Sequence, residues 1–184
     1  MPAVNDSAHY PGCGRLAPIV AAAIAVVVTG CGRDVVRDPP QRVPVVAQRD
    51  WPAVTPADPA AANAVLMRAI SLVGTPYRYG GNTPQGGFDC SGLVNYVYRD
   101  MLDLSLPRTS RELADYQGPR VAPEQLATAD LVFFGSGGEV SHVGIYVGEG
   151  RFVHAPSSGG TVRLDHLDGS YWRRNYSGSR RVLR

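Results

Sequence analysis

Lysine is absent from this 184-residue chain; all 18 basic residues are arginine, a compositional bias rather than a binding signal. The net charge is only +2 and no long basic stripe occurs, which excludes an electrostatic nucleic-acid binder. Cysteine is scarce: Cys13, Cys31 and Cys90 cannot form a disulfide framework. Close ligand pairs of the C-x-x-C or H-x-x-x-H kind are missing, and the four histidines are scattered. There is one long apolar run, "LAPIVAAAIAVVVTG" behind Arg15, too short and too weakly flanked for a membrane span. Internal repeats and low-complexity tracts are also absent, so the length allows one domain plus extensions.

What is present divides the chain into three parts. Residues 1–30 read as a signal peptide: a charged start, the apolar run and a small-residue end. The run ends in "VVTGC", which resembles a bacterial lipobox and makes Cys31 the expected lipidated N-terminus; an ordinary secretory signal or an uncleaved anchor are the alternatives. Cleavage there removes one acid and one base, and leaves Cys90 as the sole free thiol. Residues 31–60 hold six prolines without apolar periodicity and read as an extended linker. Such a tether spans on the order of 90 Å at roughly 3.1 Å per residue.

Residues 61–184 carry the folded pattern. Asp58 and Pro59 form an N-cap and first helical position, with Val65, Ala69 and Leu72 on one face and Gly74 as a stop. "TPYRYGGNTPQGGF" reads as a loop. From Cys90, the positions Leu93, Val94, Val97 and Met101 fit an amphipathic helix. Thr109 and Glu112 form a capping box for a short helix to about Gln117. Thereafter "DLVFFG", "SHVGIYVG", "RFVHA" and "GTVRLDHL" read as short strands, and "SRRVLR" as an edge strand. Helices followed by consecutive strands predict an α+β fold with an antiparallel sheet.

Cys90 stands where a glycine-rich loop becomes a helix, and the partial positive charge there favours a thiolate. A nucleophilic thiol needs a base. His9 lies in the signal segment, and His166 reads as a solvated residue among aspartates. His142 and His154 fall on consecutive strands twelve residues apart, a spacing that allows a cross-strand pair of base and orienter. A zinc site on Cys and two His is the rival, weakened by the missing fourth ligand.

The series "GTPYRYGG", "GGFDCSGLVNYVY", "LPRTSREL", "DLVFF", "SHVGIYVG" and "RFVHAPSSGG" resembles the NlpC-type cell-wall cysteine peptidases over about residues 62–184. The ending "YWRRNYSGSRRVL" is similar to the single-domain, lipid-anchored murein endopeptidases among them. The resemblance implies a papain-like fold, N-terminal helices on a central antiparallel sheet. It implies Cys90 as nucleophile, His142 as base and His154 as orienter. It further implies Tyr77 at the oxyanion or substrate site, and Asp89 and Ser91 against the substrate, although Asp89 is equally suited to capping the helix. Arg108 is open between a substrate carboxylate and a surface acid, and Ala129 stands where the family usually has glycine. The expected resting state is a Cys90 thiolate held by His142.

The expected reaction is amide hydrolysis through a thioester on peptidoglycan stem peptides, at the D,D cross-link or the D-Glu–diaminopimelate bond. It needs no cofactor or metal. The expected partners are the stem peptides and, through the lipid anchor, the membrane; no nucleic acid is expected, and the chain reads as a monomer. The alternatives are a non-catalytic wall-binding scaffold, and an amidase or acyltransferase using the same thiol. Gly32 after Cys31 favours the outer membrane, facing the periplasm.

Overall fold

The computed structural model describes residues 49–158 and 160–183. The expected signal peptide, Cys31 and most of the expected linker lie outside these residues.

Helix α1 runs over Pro59–Ser71; the Asp58 carboxylate accepts from the Ala61 N–H at 2.9 Å and Pro59 supplies the fixed φ of the first turn. Its buried face is Ala62, Val65 and Ala69, the stripe its spacing predicts. The following loop carries a small hairpin, β1 (Asn82–Thr83) and β2 (Gly87–Phe88), which Gly and Pro content alone had read as irregular. Helix α2 spans Cys90–Leu102 and buries Leu93, Val94 and Val97, whereas Met101, also assigned to the apolar face, is 37% exposed near the helix end. Helix α3, Ser110–Ala114, opens with the full Thr109–Glu112 capping box and ends three residues before Gln117. A 3₁₀ turn, Pro123–Gln125, leads to the sheet.

The sheet holds β3 (Leu131–Ser136), β4 (Glu139–Gly148), β5 (Arg151–His154), β6 (Arg163–His166) and β7 (Tyr176–Arg180). All pairings are antiparallel, in the order β6-β5-β4-β3-β7. Helix α4, Ser170–Asn175, connects β6 to β7. The C-terminal edge strand thus exists but begins at Tyr176, ahead of the "SRRVLR" segment. His166 is the last residue of β6, not a solvated loop residue; its ring meets Trp51 edge-on at 6.2 Å. The chain is therefore α+β, with helices on an antiparallel sheet.

The sheet is covered on both faces, which is why "LVFF" of β3 is buried throughout. Leu131, Phe133, Val143, Ile145 and Val153 meet α1 and α2 on one side. Val132, Phe134, Tyr146, Phe152 and Leu167 form a second core on the other, packed by Trp172, Tyr176 and Trp51. Trp51 belongs to the stretch expected to be linker. Its indole N–H donates to Asp168 at 2.9 Å, and Val54 bridges to Ala127, so the last part of that stretch is docked on the sheet.

Ala129 has φ +71°, the left-handed region that glycine occupies without a Cβ penalty. The alanine therefore carries roughly 1–2 kcal/mol of backbone strain. It is held there by the hydrogen bond from the buried Tyr98 hydroxyl to its carbonyl.

Trp51→Ala is expected to lower unfolding stability by about 2 kcal/mol, since a half-buried indole and its hydrogen bond are lost. Urea titration of the domain beginning near residue 49 checks this; an unchanged midpoint would mean that the segment contributes nothing.

Candidate functional site

Cys90 is the first residue of α2, and Asp89 is the cap before it. The Asp89 carboxylate accepts from the Gly92 N–H at 2.6 Å and the Gly80 N–H at 2.9 Å, tying the helix to the glycine-rich loop. Close packing requires glycine here: a Cβ on Gly92 would stand 2.0 Å from the Gly81 carbonyl oxygen. Arg108 completes the cap with two bonds to Asp89, at 2.7 and 3.0 Å, and one to the Ser91 hydroxyl at 2.7 Å. Ser91 in turn donates to Asp89 at 3.2 Å. Burial opposes ionisation of Asp89, but Arg108, the Gly92 N–H and Ser91 outweigh it and hold the carboxyl below its usual range. The capping role of Asp89 is thus established by geometry, and of the two partners open to Arg108 the structure supplies an acid of the protein, Asp89 itself.

The Cys90 sulfur is largely enclosed. Burial is the dominant influence and pushes the thiol up; the main-chain N–H of Val143 pulls the other way, the Asp89 charge adds to the rise, and the Ser91 and Cys90 N–H groups again favour the thiolate. The Cys90 and Ser91 N–H groups have no partner within the helix, so they are available to an anion forming at the sulfur. Val143 immediately follows His142, so the thiol meets β4 beside the residue expected to serve it. Tyr77 packs against the same core, and its phenol is raised by burial and then by the nearby Cys90 and Asp89 charges, which keeps it a hydrogen-bond donor.

His142 on β4 and His154 on β5 are in direct contact: His142 Nε2 and His154 Nδ1 lie 2.9 Å apart. The alternation of β4 brings this about, together with Gly144. A Cβ on Gly144 would fall 2.6 Å from the Phe152 ring, so only glycine lets Phe152 and His154 lie across β4. Trp172 of α4 stacks on His142, with ring centroids 5.6 Å apart, and meets His154 edge-on at 4.8 Å.

A fourth residue, not singled out from the sequence, completes the chain. Asp165 on β6 lies 3.0 Å from His154 Nε2 through its Oδ2. That oxygen also accepts from Trp172 Nε1 at 3.0 Å and from Arg163 at 3.0 and 3.1 Å. The period-2 pattern of "TVRLDHL" was a usable signal, since it places Asp165 and Arg163 on the same face of one strand. What it lacked was the register pairing His154 with Arg163, which brings that face to the histidines.

The protonation pattern follows from acceptor chemistry. A carboxylate only accepts, so His154 Nε2 carries a hydrogen and, in the neutral ring, Nδ1 is the acceptor. His142 Nε2 must then donate, which leaves the Nδ1 lone pair of His142 as the basic site. Burial keeps both rings neutral: His142 is lowered to about 3 by burial and then by His154, against the pull of Asp165. His154 is lowered to about 4 by burial, against its bond to Asp165. Burial thus acts against the expected resting thiolate, favouring a neutral thiol and neutral imidazoles. The two rings spend their facing nitrogens on each other, an arrangement unlike ligands converging on zinc. Among the described residues no three His, Cys, Asp or Glu side chains cluster to hold a metal.

Because both histidines bind protons less readily when folded, stability is complete above their ordinary value of 6.5 and is lost as the pH falls through the range toward 4. The melting temperature is expected to fall on the order of 5 °C between pH 7 and pH 5. A His142→Asn/His154→Asn double variant should flatten that slope; an equal slope would place the acid sensitivity elsewhere.

The sequence pattern of the NlpC/P60 family matches residues 74–181. Murein DD-endopeptidase MepH of Escherichia coli is 41% identical over 128 residues, covering 67% of this chain and 46% of that protein. The chain spans less than half the length of this relative. The NlpC/p60 domain of peptidoglycan hydrolase SagA superposes with a TM-score of 0.58 at 30% identity, covering 65% of this chain and 97% of the domain. RipD of Mycobacterium tuberculosis, described as a non-catalytic NlpC/p60 domain protein adapted to peptidoglycan binding, superposes at 0.55 with 29% identity, over 67% of this chain and 98% of its own.

Proposed function

The chain belongs to the NlpC/P60 family, and from that premise we propose that it is a peptidoglycan endopeptidase in which Cys90 is the nucleophile, His142 the base and His154 the orienter. One observation carries the reading: a partly buried thiol at a helix start faces the strand residue next to His142, whose Nε2 is held by His154 and, behind it, Asp165.

In this mechanism His142 Nδ1 takes the Cys90 proton as the sulfur attacks the amide carbonyl carbon. The oxyanion forms against the Cys90 main-chain N–H, with Tyr77 as a further donor. Collapse of the tetrahedral species transfers the His142 proton to the leaving amine and leaves a thioester on Cys90. Water then gives a proton to His142 and attacks the thioester; the C–S bond breaks, the acid is released, and His142 passes its proton to the departing sulfur, restoring the thiol. Accepting a proton from Cys90 or from water makes His142 transiently cationic, and the Asp165 charge, beyond His154, favours that state. Neutral rest and ion-paired attack are thus compatible: the pair ionises only where substrate completes its surroundings. Asp89 and Ser91 shape the substrate end of the helix, and Arg108, 45% exposed, leaves part of its guanidinium open to a substrate carboxylate.

The peptidoglycan named for MepH and SagA is the substrate class this reading adopts. RipD represents the second reading, a wall-binding scaffold, because a similar fold there is described as non-catalytic. Cys90, His142 and His154 are all present in this chain, which favours hydrolysis over that reading. The lipid anchor on Cys31 and the outer-membrane location belong to the same proposal. Cys31→Ser is expected to move the protein from the membrane fraction to the soluble one; unchanged fractionation would remove the anchor.

Digestion of purified muropeptides decides the hydrolase reading. Cys90→Ala should lose about 10³-fold or more in rate. Asp165→Ala should lose about 10–100-fold in kcat at unchanged KM, while Asp165→Asn, which keeps an acceptor oxygen for His154, retains more. Cleavage by Cys90→Ala at the native rate would remove the thiol from the reaction, and no cleavage by the native chain would leave the scaffold.

A further inference from the structure

A cavity of about 350 Å³ opens beside His142, lined among others by Ser141, Ser157, Arg163, Tyr171 and Trp172. Cys90 is not among its walls. If His142 hands its proton to the leaving amine, as the proposed hydrolase mechanism requires, the residue carrying that amine lies on the His142 side of the scissile bond. The acyl portion then lies toward Cys90 and Tyr77. The cavity therefore has the placement of a leaving-group site.

Its charge is specific. Among the described residues that line it, Arg163 is the one full charge, on edge strand β6. Its Nε and Nη2 are fixed on Asp165 at 3.1 and 3.0 Å, bonds that do not use Nη1, and the side chain is 46% exposed. The guanidinium is thus held at a set angle with part of its fork turned to solvent, at low entropic cost for a second anion. It stands close enough to His142 and His154 for its charge to oppose protonation of both rings. A carboxylate docked on Arg163 would offset that charge at the moment His142 becomes cationic, so its binding would be worth more in the transition state than before it.

We propose that this cavity is a subsite for a leaving residue bearing a free carboxylate next to the departing amine, and that Arg163 is the group that recognises it. The inference rests on the hydrolase reading and adds to it a choice of bond. In a D,D cross-link to diaminopimelate, the carbon carrying the leaving amine also carries a free carboxylate. In a D-Glu–diaminopimelate bond within a longer stem, the corresponding carboxyl is already tied up in an amide. Arg163 selects the first.

The test uses cross-linked muropeptide dimers that differ in one group, the diaminopimelate carboxylate beside the leaving amine being free or amidated. Native protein, Arg163→Gln, Arg163→Lys and Cys90→Ala are compared. The native protein is expected to prefer the free acid by about 10–100-fold in kcat/KM, the range of a charge-assisted hydrogen bond. Arg163→Gln should erase that preference, and Arg163→Lys should keep part of it. Equal native rates on the two substrates, or a loss in Arg163→Gln by the same factor on both, would overturn the proposal and reduce Arg163 to a support for Asp165. Failure of the parent reading looks different: no cleavage of either substrate by native protein, or undiminished cleavage by Cys90→Ala.

Discussion

The contact between His142 Nε2 and His154 Nδ1 is the constraint on which the rest of the site depends. Two imidazoles can share one hydrogen only if one ring donates and the other accepts, and Asp165 decides which. With Asp165 taking a hydrogen from the far side of His154, the direction of the chain is set and His142 presents a lone pair. Without an acceptor behind it, His154 could adopt either tautomer and His142 with it. The order Asp165, His154, His142 is thus a line of polarity crossing β6, β5 and β4, and the sheet register is what aligns it.

Much of the surrounding architecture serves that line. Phe134, Phe152 and Trp172 pack around the rings and exclude water, which is why burial lowers both histidines far below an ordinary imidazole. Trp172 has two tasks, a platform under His142 and an N–H on Asp165, so the short helix α4 is a wall of the site as well as a connection. Across the sheet, α2 is held at its N-terminus by Asp89, Arg108 and the glycine-rich loop, so the thiol approaches β4 from a fixed direction. The thiol packs against the first core and the histidine rings against the second, and the thiol reaches β4 at the Val143 N–H, one residue after His142.

The electrostatic balance has a further consequence. Thiol and imidazole are each pushed toward neutrality, so the site rests without an ion pair buried against apolar side chains. Avoiding an isolated buried charge saves a large desolvation cost. A neutral thiol is also less open to oxidation than a thiolate. Arg163 and Asp165 hold the opposite charges of the site at its solvent edge, where water shares the cost of keeping them.

The sequence by itself determined what depends on neighbours along the chain. The caps at Asp58, Asp89 and Thr109, the apolar stripes of α1 and α2, and the alternation that turns His142 and His154 to one side of the sheet are local rules of period and hydrogen bonding, and they were legible. So was the pairing of His142 with His154, because consecutive short strands place the two side by side. Tertiary structure alone decided the rest. Asp165 became part of the site through a strand register that no local pattern encodes. Trp172 joined it through the path of α4, and Trp51 turned the end of a proline-rich tether into part of the second core. The resting protonation, too, is a property of burial, which sums over every element packed around a group and is carried by none of them singly.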